Sequence, residues 1–194
     1  HLGGIAYTNR IVRFLYNTST NQLESPVSIC DTIPGSQDHN SQRMIITPMT
    51  QGGSDYYLFY AAGDMGAGQQ YPTAANITRP MKPQHINAYE GKILRFALSD
   101  TCSGTGNQKW IPASNPYNDV APIVGKSAVW SIGIRNNQGF AYHPALNILY
   151  GASHGPFSGS DGGQSQAWCR PETSPRPGPS GSSRECRACT ARRR

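Results

Sequence analysis

Apolar residues in this chain come in short bursts rather than in helical stripes. Ile11-Val12-Arg13-Phe14-Leu15-Tyr16 and Tyr56-Tyr57-Leu58-Phe59-Tyr60 are β-branched and aromatic runs of strand length. Shorter runs obey the same grammar: Met44-Ile45-Ile46, Lys92-Ile93-Leu94-Arg95-Phe96, Val129-Trp130-Ser131-Ile132, Gly139-Phe140-Ala141-Tyr142 and Ile148-Leu149-Tyr150. Turn clusters such as Thr50-Gln51-Gly52-Gly53-Ser54 divide them. No window sustains a helical period, so the pattern predicts an all-β fold for residues 1–161.

One pattern occurs twice. Gln42 to Pro48 leads through a turn into Tyr57 to Tyr60 and then Gly63-Asp64-Met65-Gly66. Gln138 to Pro144 leads through a shorter turn into Ile148 to Tyr150 and then Ser153-His154-Gly155. The starts, Gln42 and Gln138, lie 96 residues apart. Read as two periods of about 48, the interval has the length of propeller blades. In a propeller, loops distant in sequence converge on a central channel.

Residues 162–194 follow other rules. They hold three of the five Cys and no Leu, Ile, Val, Met, Phe or Tyr. Such a segment cannot bury enough apolar surface to offset its ordering entropy, so a disordered tail is expected. Its Cys186-Arg187-Ala188-Cys189 has C-x-x-C spacing without the further ligands of a zinc site and reads as incidental. The change of grammar near Asp161 suggests a shift of coding frame there.

Charge follows the same division. The net +6 arises in the tail: residues 1–161 carry ten Lys/Arg against nine Asp/Glu, and residues 162–194 carry seven Arg against two Glu. A nearly neutral body is a poor polyanion binder, which excludes nucleic acid as a partner. No run approaches the roughly 20 apolar residues of a membrane helix, so no membrane span is expected. The opening His1-Leu2-Gly3-Gly4 lacks Met and a basic n-region and reads as a fragment or a mature form.

Four loops hold candidate chemistry. Ser36-Gln37-Asp38-His39-Asn40-Ser41 suits either an ordinary polar turn or an oriented general base, with a carboxylate holding the imidazole or a substrate hydroxyl. Gly63-Asp64-Met65-Gly66-Ala67-Gly68-Gln69 is no dinucleotide fingerprint, because its glycines are misspaced and no helix follows. Arg135, directly after an apolar strand, is either a solvated strand end or a fork for an anionic or quinone oxygen. Gly155-Pro156 offers main-chain carbonyls of the kind Ca²⁺ accepts.

Together these loops resemble the soluble PQQ-dependent glucose (aldose sugar) dehydrogenases of the glucose/sorbosone dehydrogenase type, which are six-bladed β-propellers. The resemblance runs from about Ile11 to Asp161. It is carried by Tyr16 to Leu23, Ile33-Pro34-Gly35-Ser36-Gln37-Asp38-His39-Asn40-Ser41-Gln42-Arg43, Ala62 to Gly66, Glu90 to Arg95, Ser114-Asn115-Pro116-Tyr117, Arg135 to Ala141 and Gly155-Pro156. It implies oxidation of an aldose at C1 by hydride transfer to PQQ, with His39 as the base. By the same resemblance Asp38 and Gln69 contact the sugar and orient the base. Arg135 flanks the reactive quinone carbonyl, Asn136 contacts PQQ, and the carbonyls of Gly155 and Pro156 ligate Ca²⁺.

An external electron acceptor and a periplasmic or secreted location follow from the resemblance, which leaves a homodimer open. The departures are Ile134 where relatives carry His, Asn137 where they carry Pro, and His154 where they carry Gln. About three blades of six are expected in residues 1–161, and the chain alone is expected to be unstable and nearly inactive. A non-catalytic propeller that binds carbohydrate or protein through the same loops is the alternative, and a secreted structural β protein is a third class. Whether Cys30 and Cys102 pair is left open, and Asn17-Thr18-Ser19 and Asn76-Ile77-Thr78 match glycosylation sequons.

Overall fold

A computed structural model describes residues 7–48, 54–66 and 82–154. The tail from 162, Gln69, Gly155, Pro156 and the Asn76 sequon lie outside the described residues. The described chain is all-β: β1 (Thr8–Asn17), β2 (Gln22–Pro34), β3 (Ser41–Pro48), β4 (Tyr56–Ala62), β5 (Lys92–Ala97), β6 (Val129–Ile132), β7 (Asn137–His143) and β8 (Ile148–Ser153). One short 3₁₀ helix, Gly106–Trp110, interrupts the β5–β6 connection.

The strands form three antiparallel sheets, β1-β2, β3-β4-β5-β6 and β7-β8. The four-stranded sheet lies in the middle, and strand alternation explains how. Leu58, Tyr60 and Ala62 of β4 join Leu94 and Phe96 of β5 in a core with Ile11, Ile29, Cys30 and Ile33 of the first sheet. The intervening Phe59, Ala61 and Ile93 join Ile134, with Phe140 and Leu149 of the third sheet packed against them. Opposite faces of one sheet thus bury opposite residues of the same strands. Each fully buried aliphatic or aromatic side chain contributes about 1.5–3 kcal/mol.

β5 is covered on both faces, and so its two cations are buried with its apolar residues. Arg95 is 1% exposed and its guanidinium is sandwiched between rings, 4.0 Å from the Trp130 centroid and 4.7 Å from that of Tyr57. Its Nε donates to Asn115 Oδ1 at 2.6 Å and a terminal nitrogen donates to Ser114 Oγ at 2.7 Å. Asn115 Nδ2 in turn donates to the carbonyls of Arg95 and Ser127. Ser114-Asn115 therefore pins the long β5–β6 connection onto the sheet, which gives that sequence motif a structural purpose.

β3-β4 and β7-β8 are the two hairpins of the repeated pattern, and among the described residues β5 and β6 lie between them. The interval of 96 residues spans these strands together with the connections 63–91 and 98–128. The eight described strands make one four-stranded sheet flanked by two pairs. One consequence is visible on β3. Met44 and Ile46 share the side of Tyr60 and Leu58, opposite which they pair, yet they remain 56% and 55% exposed because the two-stranded β1-β2 sheet does not reach them.

Cys30 is buried and Cys102 partly buried, and both are free thiols. Asn17 of the first sequon closes the β1–β2 turn, its Oδ1 accepting the N–H groups of Ser19 and Thr20. Among the described residues no helix is long and apolar enough to cross a membrane.

Candidate functional site

Antiparallel order places the start of β3, the end of β4, the start of β5, the end of β6 and the start of β7 at one edge of the stack. Loop 35–40, the Gly63 loop, Gly91 and segment 133–136 consequently meet there. Four of the sequence candidates, Asp38, His39, Arg135 and Asn136, lie on this edge.

Loop 36–40 is built before it can do chemistry. Asn40 closes it, accepting the Ser36 N–H at 2.8 Å on Oδ1 and donating from Nδ2 to the Ser36 carbonyl at 2.7 Å. Buried Ser36 accepts the Asp38 N–H and donates its hydroxyl to the Met65 carbonyl, which ties the loop to the Gly63 loop. His39 is held in the left-handed region, φ 50°. Its carbonyl crosses so near Gly63 that a Cβ there would lie 1.7 Å from it, and only glycine fits. A strained non-glycine residue held by its surroundings is common at functional sites.

The imidazole of His39 is oriented by Asp64. Nδ1 lies 2.7 Å from Asp64 Oδ1, and both side chains are 8% exposed. The carboxylate accepts the Nδ1 proton and so leaves Nε2 as the basic nitrogen. Asp64 is itself fixed: Oδ1 accepts the Gly66 N–H at 3.0 Å, and its own N–H donates to the Arg135 carbonyl at 2.8 Å. Asp38 stands differently. Its Oδ1 accepts the His39 N–H at 2.8 Å and lies 3.8 Å from Nε2, beyond hydrogen-bond reach of the ring. The carboxylate that orients the His39 imidazole is Asp64, which adjacency in the sequence does not indicate. Its one signal was the Gly63-Asp64-Met65-Gly66 loop at the end of the repeated unit.

Arg135 and Asn136 extend the edge. The half-buried Arg135 guanidinium makes no hydrogen bond or ion pair among the described residues. Asn136 is a hub. Its Oδ1 accepts the Ser41 N–H, the Ser41 hydroxyl and Gln138 Nε2, and its Nδ2 faces His154 Nδ1 at 3.5 Å. Asn137, the next residue, is 0% exposed, and neither atom of its amide is hydrogen-bonded among the described residues. No group of three His, Cys, Asp or Glu side chains gathers as metal ligands among the described residues.

Comparison with known proteins gives this edge a context. Residues 3–162 match the glucose/sorbosone dehydrogenase family model. The chain is 32% identical over 160 residues to quinoprotein glucose dehydrogenase B of Acinetobacter calcoaceticus, covering 76% of this chain and 28% of that protein. It is 32% identical over 105 residues to aldose sugar dehydrogenase YliI of Escherichia coli (strain K12), covering 54% of this chain and 22% of that one. The crystal structure of a soluble aldose sugar dehydrogenase from Escherichia coli, in its apo form, superposes with a TM-score of 0.53 at 25% identity, over 76% of this chain and 35% of that chain. The chain thus spans between 22% and 35% of the length of these proteins.

Proposed function

Because this chain belongs to the glucose/sorbosone dehydrogenase family, we propose that the protein it forms part of oxidises an aldose sugar at C1 to the lactone, with PQQ as cofactor and His39 as general base. The observation that carries the reading is the His39–Asp64 hydrogen bond of 2.7 Å. An imidazole whose Nδ1 proton is held by a buried carboxylate is a base at Nε2.

The residues present fit the cofactor. PQQ carries three carboxylates and two quinone carbonyls, which call for cationic and N–H donors. Arg135 has a guanidinium without an ion-pair partner among the described residues, and Asn136 Nδ2 retains donor capacity. Arg135 would hold a quinone oxygen and Asn136 a second contact, while Ca²⁺ would be held by the carbonyls of Gly155 and Pro156. When bound, PQQ supplies the acceptor of the two-electron hydride, and Ca²⁺ polarises it.

The chain's own part is proton transfer and electrostatics. His39 Nε2 takes the proton from the C1 hydroxyl. Asp64 stabilises the imidazolium so formed, and the fixed charge of Arg135 stabilises negative charge developing on the acceptor side. Asp38 and Gln69 contact the sugar hydroxyls. A six-bladed ring, an external electron acceptor and a periplasmic or secreted location belong to the same proposal.

In the full-length protein loaded with PQQ and Ca²⁺, His39→Ala lowers sugar-dependent dye reduction at least about 10³-fold, within the range removal of a general base gives, while PQQ stays bound by its absorbance. Wild-type turnover in His39→Ala rejects the assignment.

A further inference from the structure

Lys92 opens β5 with its side chain 0% exposed. Its ammonium donates to three main-chain carbonyls, Lys82 at 2.8 Å, Pro83 at 2.9 Å and Glu90 at 2.6 Å. Those carbonyls belong to the two ends of segment 82–90, so one charged group closes that segment into a loop. An ion pair between Lys82 and Glu90 at 2.7 Å closes the same two ends a second time.

The closed loop holds Gly91 between two segments of the catalytic edge. Gly91 N–H donates to the Gly63 carbonyl at 2.7 Å, and the Gly91 carbonyl accepts the Ile134 N–H at 3.0 Å. Pro83, one of the carbonyls on the ammonium, also accepts the Gly133 N–H at 2.8 Å. The ring is completed one residue further on, where Asp64 N–H donates to the Arg135 carbonyl at 2.8 Å. The segments carrying Asp64 and Arg135 are therefore knitted to each other and to Gly91. Gly91 has φ 68°, and a Cβ there would lie 2.6 Å from Pro83 Cβ and 2.7 Å from the Ile134 carbonyl.

A filler role does not account for a lysine here. An apolar side chain would pack under the loop without the desolvation that comes with an ammonium. That desolvation lowers the Lys92 pKa to about 8, with Glu90 opposing the fall and Lys82 adding to it. What the ammonium supplies is three donors to three converging carbonyls, two of which, Lys82 and Pro83, also accept the His85 and Gly133 N–H groups. Resting on the activity proposed above, we infer that Lys92 is a positioning residue: its ammonium closes loop 82–90 so that Gly91 locks Asp64 against His39 and in register with Arg135.

The test is made in the full-length protein with PQQ and Ca²⁺. Lys92→Met keeps the stem and removes the donors. It is expected to lower kcat about 10–100-fold, the size of effect that a misplaced supporting shell produces, with the sugar KM changed less than about threefold. The ¹⁵N signals of His39, assigned by their loss in His39→Asn, are expected to move from a single Nδ1–H tautomer to a mixture. Gly91→Ala, which leaves Lys92 in place, is expected to give the same two changes and decides the matter where Lys92→Met does not fold. Lys126→Met, on the β5–β6 connection, is expected to change neither. Wild-type kcat with an unchanged His39 signal in Lys92→Met, or in Gly91→Ala, overturns the inference. If the wild-type protein oxidises no sugar, the proposed activity falls, and the His39 signals still decide the positioning.

Discussion

Asp64→Asn is the sharpest single perturbation of this site, because it preserves shape and removes charge. Asp64 Oδ1 receives the His39 Nδ1 proton at 2.7 Å and the Gly66 N–H at 3.0 Å, in surroundings that leave both side chains 8% exposed. Two charges roughly 4 Å apart attract by about 4 kcal/mol at the effective dielectric of a partly buried pair. In the proposed reaction that attraction is absent while His39 is neutral and present once it has taken the sugar proton, so it acts on the barrier. At about 1.4 kcal/mol per decade, kcat should fall about 10³-fold. An amide can also turn its NH₂ toward Nδ1, which would put the proton on Nε2 and remove the base outright. Asp38→Asn is the control. The Asp38 carboxylate is 3.8 Å from Nε2 and 47% exposed, so solvent screens it. A loss of about tenfold or less is expected there. Single-turnover reduction of bound PQQ at saturating sugar, with PQQ content measured in each variant, separates chemistry from cofactor loss. An Asp64→Asn enzyme within threefold of wild type, or one less impaired than Asp38→Asn, would refute the orienting role.

Two further expectations concern the fold. Arg95→Met leaves Asn115 Oδ1 and Ser114 Oγ without their donors and empties the space between Tyr57 and Trp130. A loss of about 3 kcal/mol in urea unfolding is expected, and a loss below about 1 kcal/mol would show that the pinning of the β5–β6 connection is dispensable. Tyr60 is 4% exposed and burial pushes its pKa up to about 12. The folded state keeps this proton where the unfolded chain loses it, so the contribution is whole below pH 10 and falls away between pH 10 and 12. Tyr60→Phe should flatten the alkaline fall in unfolding free energy by about 2 kcal/mol relative to wild type, and parallel curves for the two proteins would contradict it.

The β-branched and aromatic bursts were enough to find seven strands. β2 escaped for a physical reason. Its first half, Gln22 to Pro26, is exposed and polar, with Ser25 at φ 52° and a proline, and only Ile29, Cys30 and Ile33 enter the core. The buried cations of β5 were equally hidden, since nothing local tells Lys92 that three carbonyls will meet it or Arg95 that two rings will. In the site, Asp38-His39 was legible as adjacent residues. Asp64 was not, because the strand pairing of β3 with β4, and not chain proximity, brings it to Nδ1.

The four described candidates, Asp38, His39, Arg135 and Asn136, lie at one edge of the stacked sheets, and the β1–β2, β3–β4, β5–β6 and β7–β8 connections turn at the other. That second edge can be lengthened or decorated without touching the reacting atoms, as the long 98–128 connection already illustrates. The β7–β8 turn, where Leu146 is 55% exposed, is accordingly the natural handle by which a dye, a tag or a solid support could be attached with the edge that carries His39 and Arg135 left open.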